Sequence, residues 1–209
     1  VISPVFLLLE RNRENFEKKM KAHLLKSIRT PFVKLLIAMI FILPGIISCS
    51  TSWSAKLKPH IQPVELEKYT GVWYEIARFP HRFERNLVGV TATYNLLPDG
   101  KIRVVNKGFK GGLDGEMSNA IGKAKPAGDP CIGHLKVSFF WIFYADYYIL
   151  ALDQANYSWA LVGSSSPNFL WILSRKPQME KPLLDSLINR ASELGYDISK
   201  LELVPQPAL

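Results

Sequence analysis

The chain has 209 residues, 48% of them hydrophobic and 11% aromatic, with 26 Lys and Arg against 18 Asp and Glu, a formal net charge of +8. That length suits one globular domain with room for a leader. The charge does not mark a nucleic-acid binder: residues 1–48 hold about 8 cations and about 3 carboxylates, the rest is close to balance at about 18 to about 15, and no nucleic-acid-binding motif accompanies it.

Residues 1–19 precede Met20, a better start for a leader, and are read as a misplaced start or a disordered extension. From Met20 the chain carries Lys21, Lys26, Arg29 and Lys34, then an uncharged apolar run over 35–48 broken by Pro44 and Gly45. A positive region succeeded by a short apolar one is a signal peptide, here 20–48, and the run is too short to span a bilayer comfortably. It ends Ile46-Ile47-Ser48-Cys49, which resembles a bacterial lipobox. The resemblance implies that Cys49 becomes an acylated first residue, held firmly at a membrane by more than one acyl chain. Ser50 does not read as an inner-membrane retention signal, so the expected location is the bacterial outer membrane, lipid-anchored at its periplasmic face. Residues 49–63 then form a polar, Pro-containing lipidated tether. The two cysteines, Cys49 and Cys131, read naively as one disulfide. Acylation of Cys49 instead leaves Cys131 a free thiol with a structural role.

The body, 64–209, reads as strands. Residues 71–79 (GVWYEIARF) would place Val72, Tyr74, Ile76 and Arg78 on one face and Trp73, Glu75, Ala77 and Phe79 on the other. Residues 90–96 alternate and lead into Leu97-Pro98-Asp99-Gly100, a strong hairpin signal, from which 101–109 returns. Further strands are expected at 116–124, 131–140, 147–153, 158–164 and 169–175. Eight strands with short connections and no intervening helices predict an all-β fold, an eight-stranded antiparallel up-and-down barrel closed on itself. Such a barrel can hold one small ligand. Residues 179–194 carry Leu183, Leu184, Leu187, Ile188, Ala191 and Leu194 at helical spacing, with Pro182 in the first turn and Gly195 at the stop. This is one C-terminal α-helix packed outside the barrel against Val72, Tyr74 and Ile76, with 201–204 as a short strand beside the first.

The blocks GVWYEIAR, RFPHRFER, NKGF, KVSFF, YILALD and FLWILSRKP, in this order over roughly 68–206, resemble the lipocalin family, and within it the bacterial outer-membrane and apolipoprotein D-like branch. The family's second block usually reads Thr-Asp-Tyr and here reads Leu152-Asp153-Gln154, which leaves the loop at the closed end open to a different build. The resemblance implies a structural barrel plug of Gly71, Trp73 and Arg175, the arginine lying across the indole in a cation–π contact of about 1–2 kcal/mol.

Alternation puts Ala77, Ala92, Tyr94, Val104, Asn106, Ala120, Gly122, Val137, Phe139, Tyr147, Ile149, Val162, Trp171 and Leu173 inside, a lining suited to an elongated apolar ligand with one polar end. Glu75 would also face inward. A carboxylate there needs a partner, with Asn106 or Arg175 as candidates, or a proton. Two roles stay open for it, a satisfied structural group near the plug or a group that polarises a ligand head. Residues 80–89 form a long loop over the open end, where Arg82 and Arg85 suit an anionic headgroup. The resemblance implies the same ligand class, fatty acids or lysophospholipids held or transported in the bacterial envelope. No enzyme is expected: Cys131 has no activating base near it in sequence, the four histidines show no ligand spacing, and neither metal nor cofactor is implied. A partner-binding surface lipoprotein, or a tetrapyrrole or retinoid carrier, remain the alternatives. Phe83, Phe140, Trp141 and Phe143 edge the open end with an apolar patch that suits a homodimer.

Overall fold

Eight strands succeed one another antiparallel, and the last returns to the first. In a computed structural model that describes residues 52–140 and 142–208, they are β1 (Gly71–Arg78), β2 (Leu87–Leu96), β3 (Ile102–Lys110), β4 (Met117–Pro126), β5 (His134–Phe140), β6 (Phe143–Leu152), β7 (Trp159–Gly163) and β8 (Leu170–Ser174). The readings made for residues 1–19, for the leader, for acylated Cys49 and for Trp141 lie outside the described residues. Each strand pairs with the next, and β1 pairs with both β2 and β8, so no edge of the ring is left open. Gly100 takes φ +75° in the β2–β3 turn, a left-handed conformation glycine adopts without strain. The turns at 97–101, 127–133 and 153–158 mark one end, the base. Those at 79–86, 111–116, around Ile142 between β5 and β6, and 164–169 mark the other, the mouth.

Helix α3 (Lys181–Glu193) packs outside. Its Leu187 and Ala191 bury against an outer cluster that includes Ile76, Phe79, Leu150, Leu161 and Ile172, with Tyr74 partly buried beside it. A two-residue strand, β9 (Glu202–Leu203), adds to β1 at Ala77 and Arg78, where β2 has diverged. The Gln206 amide bridges that divergence, donating to the carbonyls of Glu75 and Val90.

The segment expected to be a tether without periodicity is instead ordered against the barrel. Ser52 caps a short helix, α1 (Trp53–Leu57), by accepting from Ala55 N, and a 3₁₀ turn comes next at Lys58–His60. Leu57 is wholly buried in the outer cluster, Ser54 Oγ hydrogen-bonds Tyr148 OH at 2.8 Å, and Trp53 meets Tyr196 edge-on. Apolar side chains at Trp53 and Leu57 stand four residues apart, so one helical face docks.

Strand β5 begins at His134, and Cys131 sits before it as an exposed free thiol in a turn where its own N–H donates to Asp129. The buried side chains fall into two clusters: one inside the barrel and a second between the barrel wall and α1 and α3.

Candidate functional site

The base is solid. A short helix, α2 (Leu66–Tyr69), carries Leu66 and Tyr69 under the barrel, and Trp73 is fully buried on top of them. Trp73 Nε1 donates to Tyr69 O at 2.9 Å, and the Arg175 guanidinium lies 3.9 Å from the indole centroid. The same guanidinium donates to three carbonyls, Val72, Lys68 and Tyr157, tying β1, α2 and the β6–β7 turn together. Gly71 has φ +91°, and a Cβ there would stand 3.2 Å from Arg175 Nη1, so the plug approaches the backbone where glycine sits. The β6–β7 turn, which departs from the family pattern, is organised by Asp153: its carboxylate accepts from the N–H groups of Ala155, Asn156 and Ser158 and from the Ser158 hydroxyl. Gln154 joins that turn to the N-terminal segment by donating to Pro63 O.

Above the plug the lining opens in steps. Tyr94, Val104, Ile149, Val162 and Leu173 face inward but are buried in the inner cluster. Ala92, Asn106, Gly122, Val137, Phe139, Tyr147 and Trp171 are only half-buried, and Ala120 is exposed. The inner lining is therefore closed in the lower half of the barrel and accessible in the upper half. Its floor is polar: Tyr147 OH hydrogen-bonds Tyr69 OH at 2.7 Å and Tyr94 OH at 3.1 Å. Burial raises all three phenols, Tyr94 to about 12 and Tyr69 and Tyr147 well above their ordinary value, so the floor is neutral. On the wall, Asn106 stands between Ala92 and Ala120 in the ladder, and its Oδ1 is buried with no hydrogen-bond partner among the described residues.

The inner face of β1 differs from the expectation. The β1–β8 ladder slips by one residue between Glu75 and Ala77. Beyond that bulge the faces exchange. Ala77, expected inside, belongs to the outer cluster with Phe79, and Arg78, expected outside, is buried against Glu75. Neither Asn106 nor Arg175 partners Glu75. Arg78 Nη1 donates to Glu75 Oε1 at 2.8 Å, and Arg78 Nη2 donates to the carbonyls of Glu84 and Leu87, holding the β1–β2 loop to the wall.

Glu84, which sequence reasoning passed over, turns inward from that loop. Its Oε2 lies 2.8 Å from His81 Nε2 and accepts from Trp171 Nε1 at 3.4 Å. Burial and the neighbouring Glu84 charge push the Glu75 carboxyl well above its ordinary range, against the pull of Arg78. Burial pushes Glu84 up too, but His81, Arg78 and Trp171 outweigh it and hold Glu84 below its ordinary value. The Arg78 guanidinium holds the Glu75 carboxyl and the Glu84 backbone carbonyl, while the Glu84 carboxylate faces His81 and Trp171, and the two carboxyls divide into a protonation-prone member and an ionised one.

At the rim, Arg82 and Arg85 are exposed. The Arg82 guanidinium lies 4.6 Å from the Phe83 ring centroid, and Arg85 lines a cleft of about 490 Å³ with Phe83, Asn86, Leu87, Lys110, Gly111 and Ser118. Phe83 and Phe140 reach each other from opposite sides of the mouth, 5.7 Å between ring centroids.

A ring of eight antiparallel strands with a plugged base, an open apolar mouth and a helix outside defines a calyx-type binding barrel. The family model described as a lipocalin-like domain matches residues 64–206, and the chain belongs to the lipocalin family. It is 43% identical over 163 residues to the outer membrane lipoprotein Blc of Citrobacter freundii, covering 78% of this chain and 90% of that one. Its identity to mouse apolipoprotein D is 35% over 150 residues, 68% of this chain and 77% of that one. Among solved structures, lobster apocrustacyanin A1 superposes with a TM-score of 0.56 at 18% identity, over 71% of this chain and 92% of that one.

Proposed function

We propose that this chain is a lipid-binding lipocalin of the bacterial outer membrane, anchored through acylated Cys49, that holds or transports fatty acids or lysophospholipids and catalyses no reaction. The observation that carries the reading is the graded lining: a solid, neutral base below half-buried Val137, Phe139, Tyr147 and Trp171, with polar groups along one wall. The upper lining offers an acyl chain apolar area worth about 0.8 kcal/mol per buried methylene, less the cost of immobilising it. Arg82 and Arg85 at the rim and Asn106 on the wall supply contacts for a polar end. The relatives named outer membrane lipoprotein support the location, and their level of identity supports a shared role.

Native mass spectrometry of the Thr51–Leu209 unit, with extraction and identification of any lipid, tests this. A stoichiometric fatty acid or lysophospholipid, lost on Trp171→Ala or Val104→Trp, is the expected result. A protein that stays empty when offered both lipids would leave the barrel without a lipid cargo and favour a partner-binding role at the membrane.

A further inference from the structure

We propose that the mouth of the barrel docks on the surface of an anionic bilayer, so that the opening faces the membrane. What would pass through the opening rests on the lipid-binding reading above; the docking itself does not.

Three independent features point to the same end of the molecule. The first is where exposed apolar side chains collect. Phe140 (61% exposed), Ile142 (74%) and Phe143 (75%) project from the β5–β6 corner, with Phe83 and Leu113 exposed on two of the three other corners. Among the described residues, the base turns expose only Leu97 and Ile132 of the large hydrophobic side chains. Exposed apolar side chains gathered at one end of a fold mark a lipid or protein contact.

The second is charge. Arg82 and Arg85 flank Phe83 and are exposed, while the acidic residue between them, Glu84, is folded into the barrel. On the β3–β4 turn the exposed Lys110 and Glu116 pair at 2.9 Å and offset each other, and Asp114 is the exposed carboxylate there without an ion-pair partner among the described residues. The rim is therefore apolar with a cationic side, the chemistry of an interfacial lipid contact. A second copy packed on the same face by a two-fold axis would bring Arg82 and Arg85 from both copies to one seam; anionic headgroups supply the countercharge instead.

The third is where the chain enters the fold. Trp53 stacks edge-on against Tyr196, 5.1 Å between centroids, and Tyr196 against Phe79 at 5.9 Å. Phe79 comes directly after the mouth end of β1. From α1 the chain descends the outside of the barrel: Gln62 N donates to Ile149 O, Pro63 bridges Ile132, and Val64 and Leu66 join the inner cluster at the base. The described chain thus begins on the mouth side. An acyl anchor at Cys49, three residues before Ser52, is at most about 10 Å of extended chain from that point. An anchor that enters the fold so close to the rim would make two membrane signals that reinforce each other.

The test uses the full chain carrying Cys131→Ser and a single new cysteine labelled with an environment-sensitive nitrobenzoxadiazole dye, either Phe143→Cys at the mouth or Leu97→Cys at the base. Both sites are exposed, so neither change touches the core. The protein is placed in vesicles of phosphatidylethanolamine and phosphatidylglycerol doped with nitroxide-labelled lipid. Docking predicts blue-shifted, quenched emission at residue 143 and water-like, unquenched emission at residue 97. Arg82→Gln and Arg85→Gln should each reduce the docked fraction about fivefold, and vesicles of phosphatidylcholine alone should reduce it in the wild type. Water-like emission at both positions overturns the proposal. A blue shift at 143 without vesicles, growing with protein concentration, overturns it in favour of a second copy on the rim. Lipid extracted from the same samples reports on cargo separately, so an empty barrel that still docks defeats only the lipid-carrier reading.

Discussion

Arg78 and Glu75 share the inner face of β1 because the strand carries one extra residue between them, and the guanidinium donates to the carboxylate at 2.8 Å with both side chains nearly free of solvent. A buried pair of this kind is poor evidence of net stabilisation, but breaking it is costly because the remaining carboxyl is left buried without its partner. Arg78→Met should cost about 3–5 kcal/mol in urea unfolding at neutral pH. It also frees the carbonyls of Glu84 and Leu87, so the β1–β2 loop should gain hydrogen exchange. Adding Glu75→Leu to Arg78→Met should recover most of the loss. A double variant no more stable than the single one would show that loop anchoring, rather than the stranded carboxyl, dominates.

The two buried carboxyls give opposite pH dependences. Glu75 is raised in the folded state, by burial and then by the Glu84 charge, so the folded form binds the extra proton and stability falls as pH rises from the ordinary 4.5 toward the folded value. Glu84 is lowered, with His81 and Arg78 overcoming its burial, so it contributes stability above 4.5 that is lost as pH falls through its folded value. Glu75→Gln should therefore flatten the decline on the alkaline side of 4.5, and Glu84→Gln should remove part of the acid-side loss. Unfolding free energies measured across that range check both signs; parallel curves for the two variants would contradict the division.

The barrel was legible from strand alternation, the Asp99-Gly100 hairpin and the apolar stripe of α3, because each is a local pattern that tertiary packing merely uses. The inner lining of β2, β3 and β8 came from the same period of two. What alternation could not carry was a change of phase. One bulge at Glu75–Ala77 reverses every side chain beyond it, moving Ala77 out and Arg78 in, and no residue type in YEIAR announces it. Glu84 was invisible for a different reason: it lies in a loop, where no periodicity assigns a side chain to inside or outside. The docking of α1 did leave a trace, a serine N-cap ahead of apolar residues at Trp53 and Leu57, too short to outweigh the polar residues around it.

Arg175 should matter more than its half-exposed position suggests. Arg175→Ala removes the stack on Trp73 and three hydrogen bonds to carbonyls on three separate segments. A loss of about 2–3 kcal/mol is expected in thermal or urea unfolding. Arg175→Lys should recover less than half, because an ammonium cannot spread the planar fork over those carbonyls. Full recovery by lysine would mean that charge alone, rather than the fork, closes the base.

Leu57 tests whether the N-terminal segment is part of the fold. Its side chain is wholly buried between the barrel wall and the region after α3. Leu57→Ala should cost about 2–4 kcal/mol, as for other large-to-small changes in a packed core. Deletion of residues up to His60 should lower the melting temperature further by also removing the Trp53–Tyr196 contact and the Ser54–Tyr148 hydrogen bond. A tether that merely spans distance would give no change in either experiment.

Asn106 separates stability from binding. Its Oδ1 is buried without a hydrogen-bond partner among the described residues, flanked in the ladder by Ala92 and Ala120, on a wall otherwise suited to an acyl chain. An unpaired buried amide costs about 1–3 kcal/mol, so Asn106→Leu should stabilise the protein by about 1 kcal/mol once some steric cost is subtracted. If the amide receives the polar end of a lipid, the same variant should weaken binding of a lysophospholipid or fatty acid about tenfold, the loss of one hydrogen bond in a dry site. Calorimetric titration beside urea unfolding reads both quantities. Gain in stability with unchanged affinity would place the polar end of the ligand elsewhere, at the rim with Arg82 and Arg85.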